Sequence, residues 1–286
     1  MKELSVTSGK GGTGKTTLAA AFASLEGDVA IADCDVDASN LHLVLNPEVL
    51  ETQEFKGLRV ALKDEERCNG CGECLENCRF GAIDENFNIM EDRCEGCGVC
   101  EYVCPVNTIQ LVERVSGHVF LSITRFGPMS HARLKAAEEA SGKLVSAVRE
   151  NARKLSRERG SELIIIDGPP GIGCPVIAAM AGVSLVLIVT EPTLTGRMDL
   201  ERIHGVSSHF GIPAVVCINK YDINVGNARE IEEFCEEKGI DLGGRLPYDN
   251  VTTEAMIQGR TVVEYSDGDF SREVTNAWKR VKEAMT

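Results

Sequence analysis

Eight residues near the start, Gly9-Lys10-Gly11-Gly12-Thr13-Gly14-Lys15-Thr16, leave this chain few architectures to choose from. They match G-x-x-x-x-G-K-[ST], follow an apolar run at residues 4–6 and open a helical pattern at residues 16–25. Glycines at these places let backbone N–H groups turn into one cavity, and the helix that follows adds the positive end of its dipole. The loop therefore reads as a cradle for phosphate. Gly9, Lys10, Gly11, Gly12, Thr13 and Gly14 line it, Lys15 reaches the β- and γ-phosphates, and Thr16, with Thr17 behind it, takes Mg²⁺.

Further apolar runs at 29–32, 163–166, 185–189 and 214–218 each end in a polar or glycine-rich turn, as buried parallel strands do. Helical patterns separate them, at 132–155, 198–210, 228–237 and 272–284. The expectation is an α/β fold, a P-loop NTPase with a mostly parallel sheet covered on both faces. Function in such sheets gathers at the C-terminal strand ends. Asp33, Asp35 and Asp37 stand there at alternate positions, and Asp167-Gly168-Pro169-Pro170-Gly171 follows the run at 163–166. Acids beside a phosphate loop suit catalysis and metal binding better than a solvated turn. The run at 214–218 ends in Asn219-Lys220-Tyr221-Asp222, the N-K-x-D pattern that binds guanine in small GTPases, although Asn219 can hydrogen-bond adenine equally well.

Residues 58–113 break the rhythm and carry eight of the twelve cysteines. The stretch repeats itself: RCNGCGECLENC is echoed by RCEGCGVCEYVC. Cys68-x2-Cys71-x2-Cys74-x3-Cys78 and Cys94-x2-Cys97-x2-Cys100-x3-Cys104-Pro105 follow the bacterial ferredoxin spacing, in which the fourth thiolate ligates the other cluster. One 4Fe-4S cluster then uses Cys68, Cys71, Cys74 and Cys104, and the other Cys94, Cys97, Cys100 and Cys78. CxxC pairs also build zinc sites, but the unbroken doubled register is far more specific to iron-sulfur. Arg79 stands where proline usually follows the fourth cysteine. The expected organisation is a nucleotide domain at 1–57 and 114–286, with a small α+β ferredoxin-like domain inserted at 58–113.

A net charge of −14 argues against binding nucleic acid through a basic surface. No apolar run approaches the roughly 20 residues of a membrane span, and the final helical pattern is neither apolar nor basic enough for a membrane anchor. The N-terminus shows no apolar signal region, so reduced, metal-ligating thiols in a cytoplasmic protein are expected. The acidic insert suits a partner with a basic docking surface. Cys217 and Cys235 read as structural, and Cys174 as a small buried thiol near the second acidic segment.

GKGGTGKTT resembles the deviant phosphate loop of the MinD, ParA, Mrp and nitrogenase iron-protein superfamily. That resemblance covers the chain apart from the insert, which resembles an eight-iron ferredoxin. It implies a homodimer closed through the nucleotide face, in which Lys10 reaches the other subunit's nucleotide. It also implies that Asp35 positions the attacking water with Asp33 beside it, that Asp167 holds the Mg²⁺ through water, and that Gly171 senses the γ-phosphate. Mg-ATP is the implied nucleotide, with Asn219, Asp222 and the loop at Pro247 near the base. Two outcomes stay open: nucleotide-gated electron transfer with a redox partner, or an assembly, carrier or positioning ATPase whose clusters are scaffold, sensor or cargo.

Overall fold

The computed structural model describes residues 1–135, 138 and 140–286. In chain order the strands are β1 (Lys2–Ser8), β2 (Ala30–Asp33), β3 (Glu48–Lys63), β4 (Ile109–Thr124), β5 (Gly127–Leu134), β6 (Leu163–Pro170), β7 (Leu185–Thr190), β8 (Ala214–Asn219) and β9 (Asp241–Leu246). The helices are α1 (Lys15–Glu26), α2 (Leu41–Leu45), α3 (Glu73–Glu76), α4 (Val99–Val103), α5 (Gly142–Arg159), α6 (Cys174–Met180), α7 (Leu194–His209), α8 (Val225–Lys238), α9 (Val251–Ile257), α10 (Val262–Tyr265) and α11 (Asp269–Ala284).

The strands form one sheet in the order β3-β4-β5-β2-β6-β1-β7-β8-β9, parallel across β5, β2, β6, β1, β7, β8 and β9. Its central strands are apolar on both faces because both are buried. Leu4, Val6, Ile165, Leu187 and Val215 face the core shared with Phe22 of α1 and Trp278 of α11, while the intervening Ile164, Ile166, Val186, Ile188 and Val216 are just as inaccessible. Trp278 stacks on Phe22 at 4.7 Å between ring centroids and donates its indole N–H to Glu26, so α11 packs its aromatic residue inward. At the opposite edge of β1, the buried Glu3 carboxylate takes Arg149 (2.6 Å) and Arg153 (2.5 Å) from α5. Burial works to raise Glu3, but the two guanidinium groups hold it below the usual carboxylate range.

The helix expected at 132–155 is a correction: Gly127–Leu134 is a strand, α5 begins at Gly142, and residues 136, 137 and 139 lie outside the described residues. Ser141 supplies the start signal that the apolar count overlooked, because its side chain accepts from the Leu144 N–H and caps the N-terminus of α5.

Two compact units divide the chain, one of Met1–Gln53, Val119–Arg133 and Ala140–Thr286, the other of Glu54–His118 and Leu134–Glu139. The second reaches beyond 58–113 at both ends. Its own buried core is small: Ala61, Cys74, Ile83 and Ile109, packed against partly buried Cys78, Cys94, Cys100 and Cys104. The internal repeat recurs in its backbone. Gly70 and Gly96 (φ 68° and 61°), Gly72 and Gly98 (82° and 81°), and Gly81 and Asn107 (60° and 51°) are left-handed at matching positions. No helix among the described residues is long and apolar enough to cross a membrane.

Candidate functional site

β1 delivers its chain end to the loop at Ser8, whose hydroxyl donates to the Lys10 carbonyl (2.6 Å). α1 then starts at Lys15 behind Gly14, at φ 99°. Only glycine fits there, since a Cβ would lie 2.5 Å from Asn219 Nδ2. A Cβ on Gly9 would strike Asp199, whereas Gly11 and Gly12 face open space. Lys15 is 4% exposed and its ammonium stands 3.8 Å from Asp35.

Because β2 and β6 are neighbours, Asp33 and Asp167 are register partners, and both are buried. Asp33 accepts from the Ser39 hydroxyl at 2.6 Å through one oxygen, while its other oxygen is unpartnered. Neither Asp167 oxygen makes a well-formed hydrogen bond. Burial pushes Asp167 up to about 7, opposed by the Thr16 hydroxyl and Lys15 and reinforced by Asp35. Burial and the Asp167 charge push Asp33 well up, and burial raises Asp35 against the pull of Lys15. Lys15 acts on Asp35 and Asp167, and Asp33 faces the Asp167 charge with the Ser39 hydroxyl to offset it, so the cluster is short of positive charge. Orphaned carboxylate oxygens beside a threonine hydroxyl are the donor set that a hydrated Mg²⁺ satisfies, so these residues fit that ion. Asp37 lies outside the cluster, where it accepts from the Ala140 N–H (3.2 Å).

Gly171, at φ 98°, donates its N–H to the Ser8 carbonyl at 2.9 Å. Lys10 is paired with Glu191 at 2.8 Å, and Glu191 also holds Lys220 at 2.6 Å. Burial works to raise Glu191, but the two ammonium groups win and keep it below the usual range. Sequence reasoning missed this glutamate, although it stands one residue past the end of β7, where functional groups are expected.

Asn219 Nδ2 donates to the Thr13 carbonyl at 2.8 Å, and its Oδ1 accepts from the Lys220 N–H. One end of the side chain thus holds the phosphate loop and the other holds the chain just past β8. Next to it opens a cavity of about 320 Å³ lined by Thr17, Asn219, Leu246, Tyr248, Thr252 and Phe270 among others. That volume suits a small organic ligand. Asp222 and Pro247 are not in its lining; Asp222 instead accepts from the Tyr248 N–H at 2.7 Å.

The eight cysteines of the repeat fall into two pockets. Cys68, Cys71, Cys74 and Cys104 line one, and Cys78, Cys94, Cys97 and Cys100 line the other. All eight are free thiols. Among the described residues no three His, Cys, Asp or Glu side chains gather closely enough for a single metal ion. A four-iron cubane instead takes one thiolate at each iron corner, and four cysteines facing one pocket fit that donor set. Cys217 and Cys235 are buried, but Cys174 is exposed, which corrects the expectation of a buried thiol. It opens α6, directly after the turn that follows β6.

A glycine loop between β1 and α1, with acids from β2 and β6 closing on its lysine, defines a nucleotide-binding α/β protein. The chain belongs to the CobQ/CobB/MinD/ParA nucleotide binding domain family, whose pattern it matches over residues 4–262, and it is an ATPase of the MinD/ParA kind. An uncharacterized protein of Methanocaldococcus jannaschii is 34% identical over 78% of this chain and 79% of its own length. An iron-sulfur cluster carrier protein of Pyrococcus furiosus is 24% identical over 42% of this chain and 48% of its own. The septum site-determining protein MinD of Pyrococcus horikoshii, complexed with Mg-ADP, shares the fold with a TM-score of 0.61 at 17% identity, covering 99% of this chain and 96% of that one.

Proposed function

We propose that this ATPase holds two 4Fe-4S clusters and couples ATP turnover to one-electron exchange with a partner protein. The observation that carries the reading is the sorting of the eight thiols into two pockets. Each pocket takes three cysteines from one run and the fourth from the other, as the ferredoxin resemblance implies. Clusters bound there supply low-potential, one-electron storage.

At the nucleotide, Gly11, Gly12 and Thr13 offer backbone N–H groups to the phosphates, and Lys15 neutralises charge on the β- and γ-groups. Thr16 and Asp167 hold the hydrated Mg²⁺, and Asp35 orients the attacking water. Asn219 keeps the loop in shape, and Tyr248 and Thr252 border the cavity that receives base and ribose. Two contacts hold the site in a resting arrangement. Lys10 has to leave Glu191 before it can reach a second subunit's nucleotide, and Gly171 has to release Ser8 before its N–H can meet a γ-phosphate. Closure of a homodimer on ATP thus carries a built-in conformational change. The acidity of the chain favours a redox partner with a basic docking face over nucleic acid, and reduced thiols suit the cytoplasm.

The test is anaerobic EPR on the dithionite-reduced protein with and without Mg-ATP. Coupling predicts that nucleotide changes the line shape or potential of the cluster signals, and that Asp35→Ala and Lys10→Ala abolish the change. Signals indifferent to nucleotide would sink the coupling. The second reading is favoured by the relative named as an iron-sulfur cluster carrier. It predicts loss of iron from this chain to an apo-acceptor without net electron transfer, and an iron-transfer assay separates the two.

A further inference from the structure

The two cysteine pockets are related by a shift of 26 residues, the separation of Cys68 and Cys94. The repeat aligns their linings position by position, so each pocket serves as the control for the other. The left-handed glycines match, and Ile109 of the first pocket stands where Ile83 stands in the second. Bulk is balanced as well, because Phe87 and Val106 in the first answer to Ala61 and Phe80 in the second, one aromatic ring in each.

Polarity is not balanced. Where the first pocket has Lys63, the second has Ile89; where the first has Thr108, the second has Ala82; where the first has Asn69, the second has Glu95. All three exchanges act in one direction. The Lys63 side chain is 6% exposed, so water screens its ammonium little. Its partner Glu65, at 3.1 Å, is 70% exposed and correspondingly weakened. Thr108 lies with its hydroxyl 3.3 Å from Cys104 Sγ, and its N–H donates to the same sulfur at 3.4 Å. In the second pocket the corresponding methyl of Ala82 offers no hydroxyl, and the sulfur contact found there is the Ala61 N–H to Cys94 Sγ at 3.5 Å. Reducing a cluster adds a negative charge. A nearby ammonium and hydrogen bonds to ligand sulfur stabilise that charge, whereas a carboxylate and an apolar wall oppose it.

We infer that the pocket of Cys68, Cys71, Cys74 and Cys104 binds the higher-potential centre, and that Lys63 and Thr108 set the difference. This rests on the reading that both pockets hold 4Fe-4S clusters. An electron arriving at the Cys94-side centre moves to the oxidised Cys68-side centre. One centre is oxidised by one electron and the other reduced by one, and no bond or proton changes place. The electron resides on the Cys68 side by at least tenfold, which for a one-electron couple corresponds to about 59 mV.

Potentiometric titration of the holoprotein with dithionite, followed by EPR, tests this directly. Two one-electron waves are expected, the first giving a signal free of magnetic coupling and the second adding it. Lys63→Gln and Thr108→Ala should each lower the upper wave alone. Ala82→Thr and Glu95→Gln should each raise the lower wave alone, so the assignment survives if one variant folds poorly. Coincident waves in a protein carrying about eight irons overturn the inference and leave the cluster reading standing. A fall of the lower wave in Lys63→Gln overturns it as well. Iron content far below eight removes the reading, and the inference with it.

Discussion

Around the phosphate loop, the sheet holds the candidate functional side chains; in the second unit, Cys74 belongs to the core itself and Cys78, Cys94, Cys100 and Cys104 pack against it. Lys15, Asp33 and Asp167 stand on strand ends and a helix start backed by a broad apolar core on both faces of the sheet. The buried hydrophobic cluster of the second unit holds only Ala61, Cys74, Ile83 and Ile109 among the described residues, and four further cysteines pack against them. So small a core stabilises little on its own, and small modules of this kind draw on metal binding to fold. On the proposed function, the first region holds its fold before its ligand arrives, and the second gains its order from the clusters.

The comparison breaks most visibly if iron is removed. Chelation should abolish amide-exchange protection across 54–118 while leaving β1, β6 and β7 protected, and protection lost equally in both units would erase the distinction. Next in size, Asp35→Ala should slow ATP hydrolysis by about 10²–10³-fold with iron content unchanged, since on the proposed function it removes the carboxylate that orients the attacking water and no thiol. Smaller is the effect of Gly14→Ala, at about 2–3 kcal/mol in denaturant unfolding. It forces a left-handed alanine and pushes a methyl into Asn219, whereas Gly11→Ala meets nothing and should stay within about 0.5 kcal/mol.

The smallest effect concerns His131. Burial first, then His42 and Arg133, hold this imidazole down to about 4, and it sits 3.0 Å from the Ser122 hydroxyl. Between its ordinary 6.5 and about 4 the unfolded chain binds the extra proton, so stability is lost as pH falls through that window. His131→Gln should recover about 1 kcal/mol of acid stability in pH-dependent thermal melts. It should leave neutral stability nearly unchanged.

Much of the nucleotide end was legible because its signals are local. The glycine loop with the apolar strand before it, the acids that follow β2 and the apolar run that ends in Asp167 are each a short pattern complete in itself, although the three stand far apart along the chain. The sequence pattern does not announce β9 because Gly243 and Gly244 interrupt its apolar residues, and the helix expected at 132–155 takes in the last three residues of β5 because an apolar count without caps does not separate helix from strand. Asn219 was expected to read the base, yet in the fold both its polar ends are used in the loop and strand. Nothing local announces that, since Thr13 is 206 positions away.

Spacing along the chain was enough to establish a phosphate loop, a parallel α/β sheet and two four-cysteine runs, because each depends on neighbours a few residues apart. The placing of Asp33 beside Asp167, the hold of Glu191 on Lys10, and the setting of Lys63 and Thr108 in one cysteine pocket against Ile89 and Ala82 in the other were decided by tertiary structure. Each of these joins groups far apart in the chain, and what joins them is the order of strands in the sheet and the crossing of two repeats, which a hydrophobic pattern does not encode.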